Sequence, residues 1–278
     1  YYNKELVFGK ADSLKNTFKD AKSLVGIGFF VMIGNFMTNI ILGIDRLFVD
    51  AFFTIKDFAI YSFAYSLISL FYILLNSVTM VIYPYLKRTN KDIYKQTYET
   101  IRVSITIIMS ITLCGFFVIK FIVANFLPQY TESFNIFIFL VPTVIYSGQI
   151  SILIANFYKV MNKTKEYTIN NIVALIIAFL TNIIACFVFK NITAIAIATL
   201  ISFVIWLIYS DLYFVKIIKV NVIRANVLDL AVLIIFLFSA YLFGYFSGLI
   251  IYIVLLSLLL GLNNRKDIKN LISLIKKR

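Results

Sequence analysis

An aspartate and an arginine, Asp45 and Arg46, stand side by side between two runs of strongly apolar residues. Because lipid cannot solvate charged groups, such a pair lies either at the edge of a membrane or at a site inside one. A guanidinium pairs well with a phosphate or a carboxylate, most strongly where water is excluded. Two interpretations stay open: an ion pair at the outer end of a helix, or a binding site that faces a cavity.

Polar residues precede this pair at a helical spacing. At about 100° per residue they fall with the pair within an arc of about 120°, and the opposite face is apolar. The members of this stripe are Gly28, Asn35, Thr38, Asn39, Asp45 and Arg46. Since lipid cannot satisfy such groups, the stripe is predicted to face protein or water.

Three further apolar segments carry polar and aromatic residues at the same spacing. Their stripes are Ser62, Tyr65, Ser66, Ser69, Tyr72, Asn76 and Tyr83; Asn135, Pro142, Tyr146, Gln149 and Asn156; and Thr199, Ser202, Trp206, Ser210 and Tyr213. Small and hydroxylated residues also line helix–helix contacts in membranes, so packing is the alternative interpretation, above all for the Ser and Thr members.

The residue types favour a large amphiphilic ligand with an anionic group. Sugars stack on Tyr and Trp and bond to amides, while a phosphate pairs with the guanidinium of Arg46. A metal-ion pathway needs clustered carboxylates, and Asp45, Asp50 and Asp57 are the local candidates. No metal site and no cofactor is predicted. The chain has no histidine, which excludes histidine-based catalysis and proton relays, and it has no Walker motif for ATP.

The elements that position these residues are predicted to be membrane-spanning helices. The chain is 62% hydrophobic and 14% charged, with a mean hydropathy of +0.94, more apolar surface than a soluble core of this size can bury. The sequence therefore predicts an all-α, polytopic bundle of about eight spans. The candidates are 24–50, 58–85, 101–126, 133–157, 167–189, 192–215, 226–244 and 248–262, the last two forming a hairpin.

The basic residues alternate with these spans. Twenty-two of the 26 Lys and Arg lie on one side, in segments 1–23, 87–102, 159–165, 216–224 and 265–278, and the other four are Arg46, Lys56, Lys120 and Lys190. By the positive-inside rule both ends of the chain face the cytoplasm. The net charge of +13 is then explained by topology and anionic lipid headgroups, and no nucleic-acid partner is expected.

The predicted organisation has four parts: a linker with an interfacial helix at 1–23, a six-helix lobe at 24–215, a terminal hairpin at 216–262 and a basic cytoplasmic tail at 263–278. The chain begins "YYNKELVFGK" without an initiator Met, so we expect a piece of a longer protein. Outer connections are too short for a catalytic domain. A membrane glycan polymerase or ligase is thus a weaker alternative than a transporter.

The segment from Ile44 to Arg88 resembles the start of the C-terminal lobe in Wzx-type polysaccharide flippases of the MOP superfamily. The matching motifs are Asp45-Arg46-Leu47-Phe48-Val49, Tyr61-Ser62, Ala64-Tyr65 and Tyr83-Pro84. Further on, "QISILIANFYKVMNKTKEYTINNIVALIIAFLTNIIA", with Asn182, and "NITAIAIATLISF" resemble later helices of that lobe. Phe203 stands where the family usually has an acid, which weakens a coupling carboxylate on the sixth span. The resemblance covers about 24–215.

This resemblance implies a multi-pass protein of the bacterial inner membrane that flips a polyprenyl-diphosphate-linked oligosaccharide by alternating access, for O-antigen or capsule assembly. It implies that Arg46 attracts the pyrophosphate, with Asp45 as its partner or as a protonation-linked switch. Membrane lipids and other polysaccharide assembly proteins are the further partners. A lipid II flippase or a MATE-type drug exporter stays open. The candidate substrate-binding residues are Asn35, Asn39, Asp45, Arg46, Tyr65, Tyr72, Asn76, Gln149 and Asn156.

Overall fold

The computed structural model describes residues 14–263, apart from the side chains of 14–16, 23, 74, 76, 77, 262 and 263. Nearly all of these residues are helical, and none of them lies in a strand. The helices are α1 (Leu14–Ile41), α2 (Ile44–Phe52), α3 (Ile55–Arg88), α4 (Tyr94–Thr112), α5 (Cys114–Phe126), α6 (Phe134–Leu140), α7 (Thr143–Gly148), α8 (Ala155–Val160), α9 (Thr164–Ile184), α10 (Ile192–Ile218), α11 (Ile223–Leu242) and α12 (Tyr245–Asn263). The predicted all-α bundle is confirmed.

Six helices of the described chain are long and apolar enough to cross a membrane, or seven if one bent pair counts as a span. These are Thr17–Ile41, Ile55–Arg88, Lys91–Phe126, Thr164–Phe189, Ile192–Ile218 and Ile223–Leu242, and the bent pair is Pro128–Leu140 with Thr143–Val160. The apolar helix Tyr245–Gly261 is shorter. Each of the eight predicted segments thus coincides with a helix or a helix pair. The predicted tail at 263–278 and residues 1–13 lie almost wholly outside the described part.

The two ends of the bundle differ in their charges. One end, here called the basic end, carries the turns between α3 and α4, between α8 and α9, and between α10 and α11. There the Asn221 backbone N–H donates to Glu99 at 2.7 Å, which joins the start of α4 to the turn before α11. At the opposite end Lys56 and Glu132 form an exposed ion pair at 3.3 Å.

The first predicted span, 24–50, is two helices rather than one. α1 ends at Ile41, and a turn follows in which the Gly43 N–H bonds to the Ile40 carbonyl at 3.1 Å. Because the helix restarts at Ile44, the angular spacing that placed Asp45 and Arg46 on the polar face of α1 does not carry across the turn. This corrects the prediction of one unbroken polar stripe.

The fourth span forms the centre of the bundle and is bent. Its two parts meet at 48°, next to Pro142, which has no N–H to bond to the preceding turn. From Leu140 to Tyr158 every residue except Ser151 is buried. A π-helical stretch, Gln149–Ile154, lies within this buried part. Polar groups here can find partners only inside the protein.

α1 packs closely along α9. Gly34 permits this contact, because a Cβ at that position would overlap the ring of Tyr167. The Asn171 amide donates to the Gly34 carbonyl at 2.9 Å and to Thr38 Oγ1 at 3.1 Å. Thr168 donates to the Phe30 carbonyl at 2.7 Å. Much of the polar face of α1 therefore serves helix packing, the alternative that the sequence left open.

α11 and α12 form the predicted hairpin, joined by a turn at Phe243 and Gly244. Gly248 brings α12 against α11 and α5, since a Cβ there would lie 2.7 Å from the Phe117 ring and 2.8 Å from the Ser239 carbonyl oxygen. The Tyr252 hydroxyl donates to the Ser110 carbonyl at 2.7 Å. The hairpin is thereby fixed to the third span.

Candidate functional site: the Arg46 cleft and a buried ionic cluster

Asp45 and Arg46 point in different directions. The Asp45 side chain is 2% exposed and accepts a hydrogen bond of 2.6 Å from the Tyr61 hydroxyl on α3. Its second oxygen accepts from the Arg46 backbone N–H at 2.8 Å, in the first turn of α2, where the helix dipole favours a negative charge. Thr199 of α10 lies beside the same carboxyl. The pair is therefore not a side-chain ion pair.

Arg46 is exposed. Its Nε donates to Ser62 Oγ at 3.1 Å, and its guanidinium carbon lies 5.2 Å from the Phe58 ring centre and 5.9 Å from that of Tyr65. Among the described side chains, no carboxylate forms an ion pair with it. The two aromatic rings and Ser62 hold the guanidinium in place, and its terminal nitrogens are left available to an anion.

These residues line a cleft of about 380 Å³, here called the Arg46 cleft. Its walls come from the end of α1, from α2 and from the first turns of α3. The polar and aromatic members are Asn39, Arg46, Asp50, Phe58 and Tyr65. Three predicted site residues, Asn39, Arg46 and Tyr65, are thus brought together.

A polar track runs along α3 away from the cleft. Ser66 is exposed, and Ser62, Tyr65, Ser69 and Tyr72 are half-buried. The serine hydroxyls bond within the helix, from Ser66 to the Ser62 carbonyl at 2.8 Å and from Ser69 to the Ser66 carbonyl at 2.6 Å. The side chain of the predicted site residue Asn76 lies outside the described part. An accessible row of hydroxyls is unfavourable in lipid and is suited to water or a polar ligand.

The remaining predicted site residues do not line this cleft. Asn35, on an exposed part of α1, accepts from the Tyr167 hydroxyl at 3.0 Å. Gln149 and Asn156 are 0% and 2% exposed, and the Asn156 amide donates to the Ile152 carbonyl at 2.8 Å. Tyr72 is half-buried, 3.5 Å from Thr143 Oγ1. In this conformation Gln149 and Asn156 are inaccessible, because the bent fourth span fills the core.

The stripe on α10 is a buried packing surface. Thr199, Ser202, Trp206 and Ser210 are buried, and Ser210 and Asn170 exchange hydrogen bonds of 2.9 and 3.2 Å across the contact with α9. This arrangement agrees with the packing interpretation of the Ser and Thr residues.

A buried ionic cluster escaped the sequence analysis. Arg102 of α4, Asp211 of α10 and Asp229 of α11 are each at most 1% exposed. Arg102 binds Asp211 through Nη2 at 3.2 Å and Asp229 through Nη1 at 2.8 Å. We call these three residues, with the polar side chains bonded to them, the Arg102 cluster.

Both carboxylates receive further hydrogen bonds. The Tyr98 hydroxyl donates to Asp211 Oδ1 at 2.7 Å. The Thr106 hydroxyl and the Gln149 amide reach Asp229 Oδ1 at 2.7 and 3.0 Å. The predicted ligand contact Gln149 is therefore a member of this cluster. Three spans (the one containing α4, the bent fourth span and α10) and the hairpin helix α11 meet at one polar centre.

The signal for the cluster was present in the sequence. Asp211 and Asp229 stand within or at the edge of apolar runs, where an ionisable residue marks a functional site by default. Arg102 was counted among the basic loop residues, although α4 continues well beyond it in both directions. Sequence spacing alone does not reveal the pairing, because Arg102 lies more than 100 positions from both aspartates.

A second cavity, of about 630 Å³, lies at the opposite end, between α5, α6 and the terminal hairpin. Aromatic side chains dominate its wall. Lys120 also lines it, half-buried, with its ammonium 3.2 Å from the Ala240 carbonyl oxygen and 5.9 Å from the Phe116 ring centre. Lys120, predicted to lie in an outer connection, is part of α5.

A comparison with known families gives one finding that bears on this site. A family model described as "polysaccharide biosynthesis protein" matches residues 10–127, which include α1 to α5 and thus the Arg46 cleft and Arg102. No curated protein and no solved structure matches the chain. Over that stretch the chain is similar to polysaccharide biosynthesis proteins, which supports a role in that process for this multi-helix membrane protein.

Proposed function

We propose that the protein flips a polyprenyl-diphosphate-linked oligosaccharide across the bacterial inner membrane, as a step of surface polysaccharide assembly. The diphosphate binds the Arg46 guanidinium, and the sugars follow the polar track on α3. Partners of such a protein are the lipid-linked oligosaccharide itself, membrane lipids and other polysaccharide assembly proteins.

The observation that carries this proposal is the exposure of the Arg46 guanidinium and the contacts that orient it. An exposed guanidinium, oriented by Ser62, Phe58 and Tyr65 and without an internal carboxylate partner among the described residues, is a binding site for an anion. The adjoining hydroxyls and aromatic rings suit sugars. A cationic drug gains nothing from this guanidinium, and so a MATE-type cargo is disfavoured. The family match supports a polysaccharide cargo.

Breaks in two spans supply the flexibility that alternating access requires. The turn at Leu42 and Gly43 separates α1 from the cleft helix α2, and the bend of 48° at Pro142 divides the central span. Discontinuous helices near a binding site are common in secondary transporters, where one part moves while the other holds the ligand. A glycan polymerase or ligase would instead need an acceptor-binding loop outside the bundle.

The test is replacement of Arg46 in the producing cell. Arg46→Ala is expected to abolish surface polysaccharide at normal protein abundance, because the anion loses its charged partner. Arg46→Lys is expected to retain part of the activity, since it keeps the positive charge. It loses the planar guanidinium that can donate two parallel hydrogen bonds to an anion. Surface glycan is measured by immunoblot of the extracted polysaccharide.

Lys56→Ala is the matched control. Lys56 is an exposed cation at the same end of α3, but it pairs with Glu132 and lies outside the cleft. It is expected to leave the glycan unchanged. Wild-type glycan in Arg46→Ala, at equal abundance, would overturn the proposed contact with the cargo.

A further inference from the structure

The Arg102 cluster has one more negative than positive charge. Arg102 is the one buried cation among the described residues, whereas Asp211 and Asp229 are two buried acids in contact with it. An uncompensated charge away from water carries a large free-energy cost, which a protein avoids by binding a cation or a proton.

Within the described part of the chain, Arg102 is the cation that forms ion pairs with the two aspartates. Tyr98 on α4 donates to Asp211 as a neutral phenol, and Tyr146 on α7 lies within electrostatic range of Asp229 and Arg102. Glu99 and Arg224 line the cleft next to the cluster with opposite charges. The excess negative charge thus stays with the two aspartates.

Both oxygens of Asp211 face hydrogen-bond donors. Nε and Nη2 of Arg102 both donate to Asp211 Oδ2, at 3.3 and 3.2 Å, and the Tyr98 hydroxyl donates to Oδ1 at 2.7 Å. Each oxygen of this carboxylate faces a donor, and a guanidinium bound through two nitrogens favours the charged carboxylate.

Asp229 has a partner, the Thr106 hydroxyl, that can either donate or accept a hydrogen bond. The Thr106 hydroxyl lies 2.7 Å from Asp229 Oδ1 and 3.2 Å from the Arg102 carbonyl oxygen, but it has one proton for these two acceptors. If Asp229 Oδ1 carries a proton, it donates to Thr106 Oγ1, and the Thr106 hydroxyl turns to the Arg102 carbonyl. Gln149 Nε2 and Arg102 Nη1 also donate to Thr106 Oγ1, at 2.8 and 3.4 Å. Because a hydroxyl oxygen has two lone pairs, the protonated state requires the Gln149 amide to rotate.

Gln149 is the neighbour that can adapt to either protonation state of Asp229. Its Nε2 lies 3.0 Å from Asp229 Oδ1, whereas its Oε1 is buried and finds no hydrogen-bond partner among the described residues. Such an unpartnered oxygen is costly. Because the two ends of an amide exchange by rotation, Oε1 can face a protonated Asp229 and accept from it, and Nε2 then takes the former position of Oε1.

Access to the cluster comes from the basic end. A cleft of about 260 Å³ reaches Arg102 between the start of α4 and the start of α11. Its wall includes Gln96, Glu99, Asn221 and Arg224. Polar groups of this kind hold water, which delivers and removes protons.

We propose that the Arg102 cluster is a proton-binding site, which takes up one proton on Asp229 from water in the cleft at the basic end. The proton adds to Asp229 Oδ1 and makes the cluster neutral in total; no other bond changes. A metal ion is disfavoured as the ligand, because N–H and O–H donors already face the carboxylate oxygens. This inference goes beyond the proposed transport and does not depend on it.

The test is infrared difference spectroscopy of the purified chain in lipid nanodiscs, titrated from about pH 5 to about pH 10. The titration uses an Asp45→Asn background, because Asp45 is the buried carboxyl outside the cluster among the described residues. We expect one carboxylic-acid carbonyl band at the acidic end that disappears on titration. Asp229→Asn should abolish it, and Glu132→Gln, at an exposed acid, should leave it unchanged.

A matched pair of variants locates the proton even if Asp229→Asn fails to fold. Thr106→Val removes the partner of a protonated Asp229 and should shift the frequency of the band, whereas Tyr98→Phe, which removes the partner of Asp211, should not. Absence of the band in the Asp45→Asn protein at every pH would overturn the proposal. So would a band that survives in folded Asp229→Asn, or one that responds to Tyr98→Phe and not to Thr106→Val.

Discussion

Asp45 is a buried acid whose contacts are all hydrogen bonds. The hydroxyl of Tyr61 and the backbone N–H of Arg46 supply one donor to each oxygen. These bonds tie the start of α2 to α3, and so they also set the position from which the Arg46 side chain projects into its cleft. A residue that does not touch the cargo thereby positions one that is proposed to do so.

Tyr61→Phe is expected to destabilise the protein by about 1–3 kcal/mol, because it leaves one Asp45 oxygen buried without its donor. The fully buried ring is otherwise preserved. The measurement is reversible denaturation in mixed micelles, followed by circular dichroism.

Tyr85→Phe removes a hydroxyl from the same helix at an exposed position, and it should change stability by less than about 0.5 kcal/mol. Equal stabilities of the two variants would mean that the Tyr61–Asp45 bond contributes little, and that α2 is held by its apolar contacts.

At these positions the sequence predicted which residues belong to a polar site better than it predicted the directions of their side chains. Polar residues at helical spacing singled out Arg46, Tyr65 and Asn39, and they meet in one cleft. It did not predict that Asp45 turns inward, because the turn at Gly43 resets the helical phase. The Asp211–Arg102–Asp229 pairing could not be predicted, since it depends on how distant helices pack.

Among the elements, hydropathy placed all the helices but few of their interruptions. A run of apolar residues is insensitive to a two-residue turn such as Leu42–Gly43, or to the π-helical stretch Gln149–Ile154, because neither changes composition. Pro142 was visible in the sequence but was assigned to a polar stripe. Its missing N–H, beside the 48° bend, is the physical reason to expect a break there.

The hairpin depends on one close approach. In Gly248→Ala the new methyl group would meet the Ser239 carbonyl oxygen, a backbone atom that cannot move without shifting α11. We expect a loss of about 1–3 kcal/mol from this overpacking. The measurement is the same denaturation assay, with proteolysis between α11 and α12 as a local readout.

Gly261→Ala is the control in the same helix. Among the described residues, a Cβ at Gly261 meets no atom within 4 Å, so the higher helix propensity of Ala should leave stability unchanged or raise it by up to about 1 kcal/mol. Should Gly248→Ala be as stable as Gly261→Ala, the contact of α12 with α11 would be looser than described.

On the scale of the whole molecule, the apolar bundle has three separate polar sites. The Arg46 cleft opens beside α2, the Arg102 cluster is reached from the basic end, and the cavity at Lys120 lies at the opposite end. Such an arrangement suits a protein that binds its ligand and a proton at separate sites, provided that the basic end faces the cytoplasm.

That orientation is a prediction from the distribution of Lys and Arg, and accessibility to a reagent can test it. In a protein with Cys114 and Cys186 replaced by Ala, Lys163→Cys at the basic end should escape an impermeant thiol reagent in intact cells and react after permeabilisation. Gln129→Cys, exposed in the turn before α6 at the opposite end, should react in both. The reverse pattern would place the basic end outside the cell, and the cleft leading to Arg102 would then draw its protons from that side.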